Sequence, residues 1–236
     1  MPCDLHHLHQ EAAPWSGSDV LEAVMVIPLS SKAMPTSLII VDDFLDNAPD
    51  LRSAALRLTY PSQEGAFPGR NSLERIEIGG LAQQVSHLVS EPLKLISPLQ
   101  SHAKCRIALA ADKARAKVHV DVGAYWSGIL YLSRPEDCVG GTEFFRHRRT
   151  GTDRAPINET ELATLGYSSD AEMHRDIIEK DSSDDSQWEL TMQAPMRFNR
   201  LVLLRPWLWH TAGPAFGDSM ENGRLVYLMF FASARS

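Results

Sequence analysis

The residues best suited to chemistry in this chain are a histidine and an aspartate two positions apart, His119 and Asp121. In a β-strand, side chains at positions i and i+2 point to the same side, so these two would share one face. One imidazole and one carboxylate are two of the three protein ligands of a 2-His-1-carboxylate iron site. A later histidine, His210, follows the apolar run 201–204 and could supply the third ligand. The spacing therefore predicts a catalytic metal centre formed by His119, Asp121 and His210.

Three protein ligands leave up to three coordination positions open on the metal. A 2-oxoacid could fill two of them and leave one for dioxygen, and its remote carboxylate would then need a cation. Arginine binds carboxylates in a bidentate manner. Arg224 opens the last strong strand-like run, and Arg205 is the competing candidate. If Arg224 points inward, the period of two predicts that Val226, Leu228 and Phe230 also line the site.

The elements that must position these residues are mostly short strands. Apolar and β-branched runs bounded by turn residues predict strands near 38–41, 105–109, 116–120, 128–132, 140–145, 188–192, 201–204 and 225–231. The strand over 116–120 would carry His119. Apolar residues at helical spacing predict helices over 48–59 and 81–95, with Pro92 ending or kinking the second. This pattern favours a mainly β fold, a sandwich or barrel, with flanking helices.

The chain divides into a peripheral N-terminal extension over 1–36 and one domain over 37–236. Proline, glycine and serine interrupt the extension, and His6, His7 and His9 within it are typical of a polar tail rather than a metal cluster. Residues 146–193 form a long polar excursion between strands, with few apolar residues for a core. Such an insertion is either a mobile lid or a solvated loop, with short helices near 158–165 and 170–180.

Composition limits the classes of function. The 236 residues are 44% hydrophobic and 22% charged, as in soluble globular proteins. A net charge of −7 argues against a general nucleic-acid binder, and no apolar run reaches the roughly 20 residues of a membrane span. No leader sequence is recognisable, and three widely spaced cysteines favour free thiols. We expect a cytoplasmic monomer or homodimer that acts on a small molecule.

Three segments, 117–121, 140–148 and 199–205, resemble a bacterial group known as the domain-of-unknown-function family 6445. The chain also resembles the Fe(II)/2-oxoglutarate-dependent dioxygenases, including their prolyl-hydroxylase-like members. The resemblance lies in the order of four features: an HxD motif, a strand after a glycine pair, a histidine at the end of a strand and an arginine that follows it. The resemblance implies a double-stranded β-helix, the jelly-roll or cupin-like barrel. It also implies Fe(II) held by His119, Asp121 and His210, 2-oxoglutarate anchored by Arg224, and dioxygen as oxidant. Because halogenases of this superfamily lack the carboxylate, Asp121 favours hydroxylation or a related oxidation.

The substrate is the least constrained part of the prediction. Arg70, Arg146 and Arg148 could bind a carboxylate or phosphate, while Trp126 and Trp209 could line a pocket or simply fill the core. This mixture indicates a small polar molecule, such as an amino acid or a biosynthetic intermediate. Two alternatives remain open: a cupin-like metalloenzyme that does not use 2-oxoglutarate, and a non-catalytic ligand-binding or sensor protein on the same fold.

Overall fold

A computed structural model describes residues 36–62, 67–96, 101–113 and 117–235. Most of the predicted N-terminal extension, including His6, His7 and His9, lies outside the described residues. The division of the chain near residue 36 therefore stays a prediction.

Ten strands in the described part form two antiparallel sheets. They are β1 Leu38–Val41, β2 Arg70–Asn71, β3 Leu93–Leu95, β4 Lys104–Ala108, β5 Trp126–Tyr131, β6 Gly141–His147, β7 Trp188–Pro195, β8 Leu201–Leu204, β9 His210–Thr211 and β10 Arg224–Ser233. The larger sheet has the order β1-β8-β5-β10-β4-β2, with β3 also paired to β10, and the smaller one has the order β7-β6-β9. From β4 onward the chain passes repeatedly between the sheets, which is the arrangement of a double-stranded β-helix.

The two sheets pack face to face through apolar side chains on the inner face of the larger sheet. The outer face of that sheet is apolar as well. Val202 and Val226 point inward and pack with Phe144 and Ala194 of the smaller sheet. Leu203 points outward into a separate core. This alternation follows from the period of two along a strand. The predicted mainly β fold, a jelly roll with flanking helices, is confirmed.

Two helices, α1 Ala48–Leu56 and α2 Leu81–Val89, cover the outer face of the larger sheet. The helix predicted over 81–95, with Pro92 ending or kinking it, ends at Val89, three residues before Pro92. Ser90 adopts a left-handed conformation with φ of 56° and ends α2. Pro92 follows, and residues 93–95 then form β3, which pairs with β10. Backbone pairing with β10 therefore outweighs the helical spacing of the apolar residues.

The segment that carries His119 is extended, but it is not the regular strand that the sequence predicts. Residue 116 lies outside the described residues, and 117–121 pair with the smaller sheet only through a bridge between His119 and His210. Two further backbone contacts, described below, hold the segment in place. The period of two still applies, because an extended backbone alternates its side chains whether or not a full ladder forms.

Residues 148–187, which we call the insertion, connect β6 to β7. They contain α3 Glu159–Thr164, α4 Asp170–Met173, a π-helix over His174–Glu179 and a 3₁₀ turn at Asp185–Gln187. The predicted short helices are thus present. The expectation that few apolar residues here reach a core is wrong, because Leu162, Met173 and Ile177 pack in a buried cluster with Trp188 and Trp209.

Cys105 and Cys138 are free thiols. No helix among the described residues is long and apolar enough to cross a membrane.

The outer core makes a testable prediction about stability. Leu203 is fully buried, whereas Leu190 on β7 is 54% exposed. We expect Leu203→Ala to lower the free energy of unfolding by about 3 kcal/mol, because it removes buried methyl groups and leaves a cavity. Leu190→Ala should change it by less than about 0.5 kcal/mol. Urea unfolding followed by tryptophan fluorescence measures both, and similar losses in the two variants would contradict the packing described.

Candidate metal centre

The backbone brings the three predicted ligands together. His119 and His210 face each other across an antiparallel bridge: the His119 amide donates to the His210 carbonyl at 2.9 Å, and the His210 amide donates to the His119 carbonyl at 3.1 Å. The Asp121 amide donates to the carbonyl of Pro206, also at 2.9 Å. The segments bearing the ligands are therefore fixed to each other by main-chain hydrogen bonds, although 91 residues separate the histidines in sequence.

The side chains converge on one point. One ligand atom from each of His119, Asp121 and His210 lies within 4.8 Å of the other two. The Nε2 atom of His119 is 3.7 Å from Oδ1 of Asp121, and that of His210 is 3.5 Å from Oδ2. Donor atoms at such separations can share one ion.

The tautomer of each histidine follows from its other ring nitrogen. Nδ1 of His119 lies 3.0 Å from the Lys117 carbonyl, and Nδ1 of His210 lies 2.8 Å from the Leu208 carbonyl. A carbonyl can only accept, so Nδ1 carries the proton and donates in both rings. Each Nε2 then presents its lone pair toward Asp121, which is the arrangement that a metal-binding histidine requires.

Electrostatics favours the charge states of a metal-binding set. Burial and the neighbouring His210 lower the pKa of His119 to about 4, so this ring is neutral near pH 7. Burial raises the pKa of Asp121, but His210, through its charge and a hydrogen bond, outweighs burial and brings that pKa to about 2. Burial also lowers the pKa of His210, yet Asp121 outweighs it and raises this pKa above its usual value. His210 is therefore the ligand that most readily binds a proton in place of a metal.

The three residues lie at one side of a cavity of about 180 Å³ between the two sheets. Arg224, Val226, Leu228 and Phe230 all line it, as the period of two along β10 predicts. The remaining lining comes from both sheets and from three connections between strands: Phe67, Pro68, Ser101, Arg106, Ser127, Gly128, Ile129, Thr211 and Ala212. The cavity thus combines a possible ion site with mostly apolar walls.

The two candidate anchors have different surroundings. Arg224 lines the cavity, is 3% exposed, and has no hydrogen-bond or ion-pair partner among the described residues. Arg205 is absent from the lining of the cavity. Its guanidinium pairs with Glu91 and stacks over the rings of Tyr125 and Trp126, at 4.5 and 4.2 Å from their centroids. Arg224 is therefore available to a ligand, whereas Arg205 is already neutralised.

Arg106 and Phe67 are among the lining residues that the sequence analysis did not name. Arg106 on β4 points into the cavity, and its guanidinium donates to the carbonyls of Phe67 and Pro68 and to Oδ1 of Asn71. Phe67 in turn lies against His119, with ring centroids 4.1 Å apart. The signal for Arg106 was an arginine within an otherwise apolar strand. Phe67 lies in a loop and left no comparable signal.

The residues suggested for substrate binding are not brought to the cavity. Trp126 and Trp209 are fully buried in core clusters on either side of it. Arg146 pairs with surface carboxylates, and Arg148 is exposed. Arg70 lines a separate depression shared with Phe67. For the tryptophans, the core-filling alternative is the one that the structure supports.

Comparison with known proteins identifies the family to which the chain belongs. A family model described as a family of unknown function, DUF6445, matches residues 24–231. The chain belongs to the DUF6445 family. The resemblance inferred from the sequence segments is thus confirmed. Comparison of this DUF6445 protein with curated protein sequences finds no match.

Several solved structures are similar to the DUF6445 protein. HygX from Streptomyces hygroscopicus, with nickel and 2-oxoglutarate bound, is 16% identical with a TM-score of 0.46, over 85% of this chain and 84% of HygX. SnoN, a non-heme alpha ketoglutarate dependent epimerase from nogalamycin biosynthesis, is 14% identical with a TM-score of 0.47, over 84% and 79%. An N-substituted L-amino acid dioxygenase from Burkholderia ambifaria is 13% identical with a TM-score of 0.34, over 82% and 86%. At these identities none of them transfers its reaction to this chain.

The charge states of the three residues lead to a prediction for the metal-free protein. Because Asp121 favours the protonated form of His210, we expect Asp121→Asn to lower the pKa of His210. In wild type, the pKa of His210 should lie above the usual value of a histidine, while His119 should stay neutral at pH 6. Imidazole signals followed by NMR from pH 8 to 5 measure both. Asp153→Asn, which removes an exposed carboxylate, is the control. An unchanged His210 titration in Asp121→Asn would show that the carboxylate does not face it.

Proposed function

We propose that this protein is an Fe(II)- and 2-oxoglutarate-dependent oxygenase that hydroxylates, or otherwise oxidises, a C–H bond of a small polar molecule. One observation carries the proposal. The cavity that holds His119, Asp121 and His210 also holds Arg224, a buried arginine without a partner among the described residues. A buried unpaired cation is costly, so its presence indicates a site for an anion.

The donor set fits Fe(II). Two imidazoles with free Nε2 atoms and one ionised carboxylate form the facial triad that non-haem iron oxygenases use. His119, Asp121 and His210 would hold the ion. Bound Fe(II), together with 2-oxoglutarate and dioxygen, supplies the oxidising power for C–H bonds, and the role of the chain is to bind, orient and exclude water.

Arg224 would bind the remote carboxylate of 2-oxoglutarate. Burial lowers the pKa of Arg224, but a guanidinium stays charged in proteins. Its planar fork can donate two parallel hydrogen bonds to a carboxylate, which fixes the orientation as well as the position of the co-substrate. The triad and Arg224 would therefore hold the two ends of one small dianion.

The walls of the cavity would strengthen that binding. Val226, Leu228, Phe230 and Ile129 are apolar and line the space between the sheets. They exclude water, and charge interactions are stronger where the local dielectric constant is low. The same dryness would protect reactive species from water.

The charge of the cavity favours an anionic or zwitterionic substrate. Arg106 is a second arginine in the lining and is partly buried. Burial and the nearby Arg224 lower its pKa to about 10, so it remains charged at pH 7. Asp121 is the one carboxylate in the described lining. Two cations and one anion leave an excess of positive charge. A small carboxylate-bearing molecule, such as an amino acid, matches this excess.

The first test of this proposal is spectroscopic and uses purified protein. Under anaerobic conditions, Fe(II) and 2-oxoglutarate together should produce a weak visible charge-transfer band, because both would bind the same centre. His119→Ala should abolish the band, since it removes one of three ligands. His174→Ala, which removes a half-exposed histidine in the insertion, should leave it unchanged. If iron binds equally well to wild type and His119→Ala, the proposed centre is wrong.

The second test is substitution of Arg224. We expect Arg224→Met to weaken 2-oxoglutarate binding by roughly 10- to 100-fold, which corresponds to the loss of a charged hydrogen-bonded pair worth about 1.5–3 kcal/mol. Titration of the anaerobic band with 2-oxoglutarate measures the affinity. Fe(II) binding should be retained, because Arg224 is not a ligand. Arg205→Met is the matched comparison, with thermal unfolding to check its folding, and a larger effect in Arg205→Met would move the anchor.

Turnover distinguishes this proposal from its two rivals. A cupin-like metalloenzyme would bind metal but form no succinate from 2-oxoglutarate, and a sensor protein would bind ligand without consuming oxygen. We expect succinate formation to increase when a small amino acid or related carboxylate from a substrate panel is added. Oxygen consumption and succinate, measured together across the panel, provide the readout.

A further inference from the structure

Ser182, in the insertion, is hydrogen-bonded directly to the segment that carries two of the proposed ligands. Its hydroxyl donates to the Val118 carbonyl at 2.7 Å and accepts from the Lys117 amide at 2.9 Å. The Val118 amide donates to the Ser182 carbonyl at 3.2 Å. Three hydrogen bonds therefore end on the two residues just before His119. They substitute for the neighbouring strand that this edge of the segment lacks.

The opposite edge of the segment is held by the smaller sheet and by the chain before His210. His119 pairs with His210, and the Asp121 amide donates to Pro206. The segment 117–121 is thus fixed from two sides, once by the barrel and once by the insertion. Removal of either side would leave backbone groups near the ligands without partners.

The side chains of the segment divide between the same two neighbours. His119 and Asp121 face the cavity, whereas Val118 is buried in the hydrophobic cluster of the insertion, and Val120 packs against that cluster. Trp209, the residue before His210, belongs to this cluster as well. The core of the insertion is therefore the reverse side of both segments that bear ligands.

Ser182 is itself held by its neighbour Asp181. The Asp181 carboxylate lies 3.1 Å from Nε2 of His147 and accepts from Arg149 at 2.8 Å. The Trp188 indole donates to the Asp181 carbonyl at 2.9 Å. His147 and Trp188 lie on β6 and β7, so these contacts attach the end of the insertion to the smaller sheet. Ser182 is positioned by the barrel and in turn positions the ligand segment.

The role of residues 146–193 as a lid stays a prediction. No residue of 146–193 appears among the described residues that line the cavity. In this structure the insertion contacts the site through the segment that carries the ligands.

We propose that the insertion is a buttress for the metal ligands and that Ser182 is its positioning residue. This inference rests on the proposed metal centre, since it assigns the insertion a role in preparing that centre. Some residues orient metal ligands without touching the ion, and their mutation commonly lowers metal affinity 10- to 100-fold. The insertion supplies such orientation through the backbone of residues 117 and 118.

Ser182→Ala tests the proposal. It removes the hydroxyl that binds Lys117 and Val118 and keeps the backbone. We expect Co(II) affinity, measured anaerobically from the visible d–d bands, to fall about tenfold. The shape of the bands should also change, because the ligand geometry would be less uniform. Ser182→Thr keeps a hydroxyl and should recover most of the lost affinity, which a purely structural role would not require.

Ser186→Ala is the matched control. Ser186 lies in the same insertion, but its hydroxyl bonds to Asp184 at the surface. We expect its Co(II) affinity to equal that of wild type. Equal affinities in Ser182→Ala and wild type would overturn the positioning role and leave the metal centre intact. Failure of wild type to bind Co(II) would instead overturn the metal centre on which the inference rests.

Hydrogen exchange in the wild-type protein provides a second measurement that needs no Ser182 variant. If the insertion positions the ligands, the bound metal must stabilise the insertion by the same coupling. We expect Co(II) to slow amide exchange at Lys117 and Val118 and within residues 173–182. His119→Ala with Co(II) should show no such protection. Unchanged exchange in the insertion of metal-loaded wild type would contradict the buttress.

Discussion

The centre depends on one backbone contact, the antiparallel bridge between His119 and His210. A cross-strand pair of this kind places two side chains on the same face within a few ångströms of each other. Asp121 joins them because it is two residues from His119 along an extended chain. The position of all three side chains therefore follows from main-chain hydrogen bonds. Flexible side-chain contacts are not needed to assemble the site, and the imidazole tautomers are fixed by carbonyls of the same two segments.

Charge is distributed in the cavity so that the protein alone does not neutralise it. Arg224 is buried and Arg106 is partly buried, and neither pairs with a described carboxylate. Arg106 at least satisfies its donors with loop carbonyls, whereas Arg224 does not. The difference separates two roles for the same residue type. Arg106 is held against the loop beside the proposed ligands, and Arg224 is the one that the proposal assigns to an anion.

The sequence was informative where a pattern is local and uninformative where burial decides between residues. The alternation along β10 predicted which side chains line the cavity, and the HxD spacing predicted two side chains on one face. Substrate residues could not be predicted this way. Trp126 and Trp209 lie near the ligands in sequence, but the side chain of Trp126 on β5 and that of Trp209 just before β9 are each buried in a core cluster. The predicted 81–95 helix ends early for a similar reason, since helical spacing cannot reveal that 93–95 would find a partner in β10.

The two faces of β10 impose a limit on how this chain can change during evolution. Arg224, Val226, Leu228 and Phe230 face the cavity, while Leu225, Tyr227, Met229 and Phe231 face the helices. Insertion or deletion of one residue within the strand would exchange these sets, placing a guanidinium in the outer core and four large side chains in the cavity. The connection from β9 to β10, residues 212–223, is not subject to this limit, because it joins strands of different sheets. Relatives can therefore vary the distance between distal histidine and arginine while the strand itself keeps its length.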